Sequence, residues 1–133
     1  MIQRVVVDTD VISFVFKGHS HAAHYASALD GKQLVVSFMT VAELKRWALK
    51  KKWGPNRLAQ LDQQLKRLVI YPVDTSLCQR WAEVMMAAET QGRPMSPQDA
   101  WIAATALQEN LPLVTNNGKD FDHIPGLTVI SKP

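Results

Sequence analysis

Val5, Val6 and Val7 stand in a row between Arg4 and Asp8. A β-branched run this short, closed by charges and without the alternation of a half-wetted strand, reads as a strand covered on both faces in a mostly parallel sheet. Similar runs return at residues 34–37, 69–71, 113–115 and 127–130, and most of the intervals between them are long and helical in pattern. Strand alternating with helix predicts an α/β fold, with a mostly parallel central sheet of about five strands flanked by helices. Leu58, Leu61, Leu65 and Leu68 make one helical stripe, and Leu77, Trp81, Val84, Met85 and Ala88 another, both suited to covering the sheet. Residues 100–107 are apolar except for Thr105, so that helix is expected to be enclosed on nearly every side. With 133 residues, 47% of them hydrophobic, the chain has enough for one core and too little for two, so 1–133 is read as a single domain.

Several function classes drop out early. Cys78 is the single cysteine, which excludes an intrachain disulfide and a multi-thiolate metal site, suits a reducing cytoplasm, and is expected to pack. The first ten residues do not read as a signal peptide, and no stretch approaches the ~18 apolar residues of a membrane span. A soluble cytoplasmic protein without a membrane partner is therefore expected. His19, His21 and His24 have no companion thiolate or glutamate at zinc spacing and read as surface side chains. Glycine patterns for a nucleophile elbow, a phosphate-binding P-loop or a dinucleotide site are absent.

In open α/β sheets ligands bind beyond the carboxyl ends of the strands, so acids at strand ends carry the most information. Asp8 and Asp10 follow the first strand, where Thr9 or Asp10 would cap a helix beginning near Val11; Asp8, at the end of a buried strand, needs a further reason to be charged. Glu43 completes a capping box with Thr40, which explains it locally and leaves a site role open. Asp99 follows Ser96 and Pro97 as an N-cap and first helical residue, and heads the apolar face of Ile102, Ala103 and Ala106. Asp120 and Asp122 come after an Asn117-Gly118 turn signal.

Asp8, Glu43 and Asp99 would converge at one edge of a parallel sheet. Two carboxylates about 4 Å apart repel by about 4 kcal/mol at an effective dielectric of 20, so such a cluster calls for a cation. Oxygen ligands alone select a hard ion, Mg2+ or Mn2+, able to activate a water and neutralise charge growing on a phosphoryl oxygen.

Four segments taken in order, 6–13, 40–44, 99–106 and 113–117, resemble the PIN-domain nucleases, especially the VapC-like ribonuclease toxins of bacterial type II toxin-antitoxin systems, over essentially the whole chain. That resemblance implies a parallel sheet between helices, Mg2+ or Mn2+ held by acids, cleavage of RNA phosphodiester bonds, a cognate antitoxin that blocks the site, and a homodimer. It places the family's three most constant acids at Asp8, Glu43 and Asp99, as catalytic residues and metal ligands, and a supporting hydroxyl at Thr115. Asp10 stands where asparagine is common and is a secondary candidate. The fourth acid is displaced, which leaves Asn117 and Asp120 as further candidate ligands.

Between residues 45 and 67 there are eight basic side chains and one acid, Asp62, a local excess larger than the net +3 of the whole chain. Lys45, Arg46, Lys50, Lys51 and Lys52 are the expected RNA-binding residues, with Arg46 nearest the site and Trp47 and Trp53 able to stack on bases. Two other readings compete. Asp8-Thr9-Asp10 imitates the nucleophile and acid of a haloacid dehalogenase-like phosphatase, and a PIN-like module that binds RNA or protein without cutting would also carry these segments.

Overall fold

The computed structural model describes residues 2–132. Strands β1 (Arg4–Val7), β2 (Gln33–Ser37), β3 (Val69–Tyr71), β4 (Leu113–Val114) and β5 (Val129–Ile130) form one sheet in the order β3-β2-β1-β4-β5. Every neighbouring pair is parallel, and Val6 of β1 is level with Val35 of β2 and Leu113 of β4. The expected parallel sheet of five strands is therefore present. Successive side chains of a strand face opposite ways. Val5 and Val7 accordingly join the core under α1 (Thr9–Lys17), α2 (Ala26–Leu29), α3 (Phe38–Lys50) and α4 (Pro55–Leu65), while Val6 joins that of α5 (Thr75–Thr90) and α6 (Pro97–Glu109). Burial on both faces is what the valine run requires.

The chain leaves β1 toward β2 on one side, and returns from α6 to β4 on the other. Loops from the carboxyl ends of β1 and β4 thus diverge and leave a crevice at the place where strand order reverses. α6 lies in the core as expected: Ala100, Ile102, Ala103, Ala104, Thr105 and Ala106 are all buried, and their mostly small side chains let the helix sit close to its neighbours.

Some local expectations fail for identifiable reasons. α1 begins at Thr9, with Asp8 as its cap, because β1 turns directly into it. α3 begins at Phe38 with Ser37 as the cap, its hydroxyl accepting the Met39 N–H, so Thr40 and Glu43 make no capping box. Leu58 is exposed at the edge of α4 and Leu68 lies beyond its end, leaving Leu61 and Leu65 as the buried pair. Cys78 is exposed on the outer face of α5. Among the described residues, no helix is long and apolar enough to cross a membrane.

Ile102 is 1% exposed and carries α6, and with it Asp99, against the sheet. Ile102→Ala is expected to lower stability by about 2–5 kcal/mol in urea unfolding. A loss below about 1 kcal/mol would mean that α6 is held elsewhere.

Candidate active site

At the mouth of the crevice, Asp8 is 6% exposed. Its backbone N–H continues the strand pairing by donating to Val114 O, and its Oδ1 accepts the Thr9 N–H at 2.8 Å as the cap of α1. The buried Thr115 hydroxyl donates to Oδ2 at 2.7 Å and itself accepts the Asn117 N–H at 3.0 Å. One carboxylate therefore ties the end of β1, the start of α1 and the β4 loop together. Burial, then the charge of Asp10, pushes the Asp8 carboxyl from its usual 3.8 up to about 7, against the pull of the Thr115 and Thr9 hydrogen bonds; Asp99 adds to the rise.

Asp10 is more than a cap. Its Oδ1 accepts the Val11 N–H at 2.7 Å, while Oδ2 takes the Asn116 N–H at 3.2 Å and the Asn117 side-chain amide at 2.9 Å. Burial raises its carboxyl too, opposed chiefly by the N–H groups of Val11 and Asn116. The fully buried Tyr25 hydroxyl lies 2.5 Å from Asn116 Oδ1, which fixes the same loop from behind.

On α3, Glu43 Oε1 lies 2.8 Å from Thr9 Oγ, which in turn lies 2.9 Å from Thr40 Oγ. A carboxylate only accepts, so the single Thr9 hydroxyl proton goes to Glu43 and Thr40 donates to Thr9. Asp99 sits in the first turn of α6, half-buried, after Ser96 and Pro97 as anticipated, and the Ser96 hydroxyl accepts the Asp99 N–H at 3.1 Å. Burial raises its carboxyl first, the neighbouring Asp120 charge next, and Glu43 and Asp10 further.

Asp8, Asp10, Glu43 and Asp99 line a cavity of about 420 Å3 together with Arg46, Trp47 and Lys50, which share one face of α3 with Glu43, and with the exposed Asn117 at the rim. None of the four acids has a basic group within 4 Å among the described residues, and neither Arg46 nor Lys50 has a carboxylate at that range. A hard cation suits this donor set, all oxygen and short of positive partners. Among the described residues no three acid, His or Cys side chains are drawn together tightly enough to cage an ion unaided. Mg2+ does not need such a cage, since it takes one or two carboxylates and keeps several waters.

The family model of the PIN domain matches residues 5–127. The chain belongs to the PIN domain family. "Ribonuclease VapC1" of Haemophilus influenzae is 30% identical to it over 125 residues, 92% of either chain. "tRNA(fMet)-specific endonuclease VapC" of Shigella flexneri is 26% identical over 93% of this chain and 94% of its own. In the crystal structure of VapBC2 from Rickettsia felis bound to a DNA fragment from their promoter, a chain 26% identical superposes with a TM-score of 0.85, covering 98% of this chain and all of that one.

In this PIN domain, Asp8, Asp10, Glu43, Asp99, Asn117, Arg46 and Lys50 reach one cavity. Thr115 lies behind it against Asp8, and Asp120 sits on the far side of Asp99, acting on its charge without lining the cavity. Three expected RNA contacts do not reach it. Lys45, on the next face of α3, pairs with Asp62 at 3.4 Å, and Lys51 and Lys52 extend past the helix end. Trp53 packs behind Trp47, their rings 5.5 Å apart, with Arg57 over Trp53 and Lys17 over Trp47. Ser13 and Tyr25 carry no signal in the sequence, and Thr9 reads there only as a candidate helix cap until α3 is brought against it. The phosphatase reading is set aside, because the family is a different one.

The raised carboxyls set a sign for pH dependence. The folded chain holds a proton on Asp8 that the unfolded chain releases near 3.8, so the Asp8 contribution to stability is fully present below that value and is lost as pH rises toward about 7. In EDTA the Tm is expected to fall between about pH 5 and about pH 7.5, less steeply in Asp8→Asn, and excess Mg2+ or Mn2+ is expected to restore it only in the parent. A Tm that rises over this range in EDTA would contradict the assignment.

Proposed function

We propose that this PIN domain is a metal-dependent endoribonuclease toxin of a toxin-antitoxin pair, cutting RNA phosphodiester bonds with Mg2+ or Mn2+ bound by Asp8 and Asp99, and with Glu43 completing the set. The observation that carries this reading is that one cavity holds four acids with no basic group within 4 Å together with Arg46 and Lys50, which have no carboxylate at that range among the described residues. A bound Mg2+ or Mn2+ would supply an activated water at neutral pH and offset charge on a phosphoryl oxygen. Thr9 and Thr115 turn Glu43 and Asp8 into fixed oxygen donors, so their carboxylates need no reorientation when charge develops. Arg46 and Lys50 draw the phosphate backbone toward the acids, which would otherwise repel it. Asp10 keeps Asn117 at the rim, where its amide can meet a water or phosphate oxygen. Asn117 and Asp120 are proposed as accessory ligands, the latter only through movement about Asp99.

Names and titles of the relatives support the substrate class and the partner: a ribonuclease, a tRNA endonuclease, and a VapBC assembly. Growth arrest on induction, relieved by co-expressing the product of the neighbouring small reading frame, would test toxicity and antitoxin together. A homodimer belongs to the same reading and is checked by light scattering of the purified chain.

Purified protein free of antitoxin is expected to cleave RNA in Mg2+ or Mn2+ and to stop in EDTA. Asp8→Asn and Asp99→Asn should each reduce the rate by at least about 100-fold. Cleavage undiminished in EDTA or in Asp8→Asn would overturn the mechanism; RNA binding without any cleavage would favour the non-cutting module. Arg46→Ala and Lys50→Ala should each lower the salt slope of single-stranded RNA binding by about 0.7, and Lys45→Ala should not.

A further inference from the structure

A groove between α1, α3 and α4 opens beside the acidic cavity, and Ser13, Leu44 and Trp47 line both. Lys17, Trp53 and Arg57 also line it, and among the described residues no carboxylate does. Trp47 and Trp53 are half-buried, with their rings 5.5 Å apart. Lys17 Nζ stands 3.7 Å over the Trp47 ring centroid, and the guanidinium carbon of Arg57 4.2 Å over that of Trp53. A base cannot stack on a ring face that a cation already covers. The two indoles act instead as supports, each attracting a cation to its face and narrowing the directions in which that cation can point.

Both cations are exposed, and neither has a carboxylate within 4 Å among the described residues. Local helix electrostatics explains only one of them. Lys17 ends α1, where the helix dipole favours a positive charge, whereas Arg57 stands in the first turn of α4, where the dipole disfavours one and no acid offsets it. Arg57 therefore gains from an anion brought from outside. The groove holds about 50 Å3, far below the roughly 300 Å3 of a ligand pocket, so neither a base nor a bulky peptide side chain enters it. What it offers a long molecule is its charged rim. A polyanion lying across the surface suits such a rim, and the strand whose phosphates would meet Arg46 and Lys50 in the adjoining cavity is one.

On the ribonuclease reading above, we propose that the RNA strand leaves the acidic cavity across Trp47 and that Lys17 and Arg57 clamp its next phosphates. Lys17 and Arg57 are then binding residues that take no part in bond cleavage, and Trp47 and Trp53 position them.

The test measures binding and cleavage separately. In an Asp8→Asn background, fluorescence anisotropy follows a labelled single-stranded RNA over a range of salt; with Asp8 intact, steady-state cleavage is recorded. Lys17→Ala and Arg57→Ala should each weaken binding by about five-fold and lower its salt slope by about 0.7. Each should also raise KM while kcat stays within about two-fold of the parent. Arg80→Ala, which removes the same charge from α5 on the other face of the sheet, is the control and should do neither. The clamp is overturned if either folded variant, Lys17→Ala or Arg57→Ala, binds RNA with the affinity and salt slope of its parent, or if Arg80→Ala weakens binding equally. Unchanged RNA binding with weaker capture of the product of the neighbouring small reading frame would also overturn it, and would give the groove to the protein partner. If the parent cuts no RNA in Mg2+ or Mn2+, the ribonuclease reading fails by itself, and the anisotropy series still decides whether RNA crosses this groove.

Discussion

Burying Asp8 at the end of the central strand is the constraint from which the rest of the site follows. The carboxylate is 6% exposed, and holding it there pushes its titration from 3.8 to about 7, a penalty on the order of 4 kcal/mol for the charged form at neutral pH. A helix cap is worth about 1 kcal/mol and a serine supplies it without a charge. Capping α1 therefore does not by itself account for an aspartate here, and the proposed cation would favour its charged form. The Thr9 N–H and the Thr115 hydroxyl reduce the penalty and also fix the direction of both oxygens.

From that anchor the neighbouring elements take their places. Thr9, immediately after Asp8, reaches α3 and orients Glu43; Asp10, one residue further, ties down the loop that carries Asn117. Tyr25 closes the loop from the core side through Asn116. Three consecutive residues thus connect β1 to α1, α3 and β4, and the parallel sheet order brings those connections to one crevice. Arg46 and Lys50, one turn apart on the face of α3 that carries Glu43, bring positive charge into the same crevice, and α6 brings Asp99 to it.

Much of this was legible from residue types. The valine run and its repeats imply a covered parallel sheet, and acids at strand ends imply a ligand site, because both follow from short-range patterning. The Ser96-Pro97 start of α6 was equally plain. What sequence did not disclose depends on how elements meet. Thr40 looks like an N-cap until β2 is seen to run into α3 at Ser37, and Thr9 acquires its role only from a helix thirty residues away. Lys45 and Arg46 are adjacent, yet successive helical residues face different directions, so one pairs with Asp62 and the other lines the cavity. Lys17 gave no signal at all, since its place over Trp47 depends on how α1 meets α3.

The central claim is that Asp8 is a buried carboxylate placed to meet a cation. Carbon-13 NMR of the aspartate side chains, titrated in EDTA and again in saturating Mg2+, addresses it directly. The account predicts that Asp8 titrates near 7 in EDTA and drops well below 5 in Mg2+, as a bound divalent charge favours the ionised form. An Asp8 that titrates near its ordinary value in EDTA, or that does not move when Mg2+ is added, would contradict it.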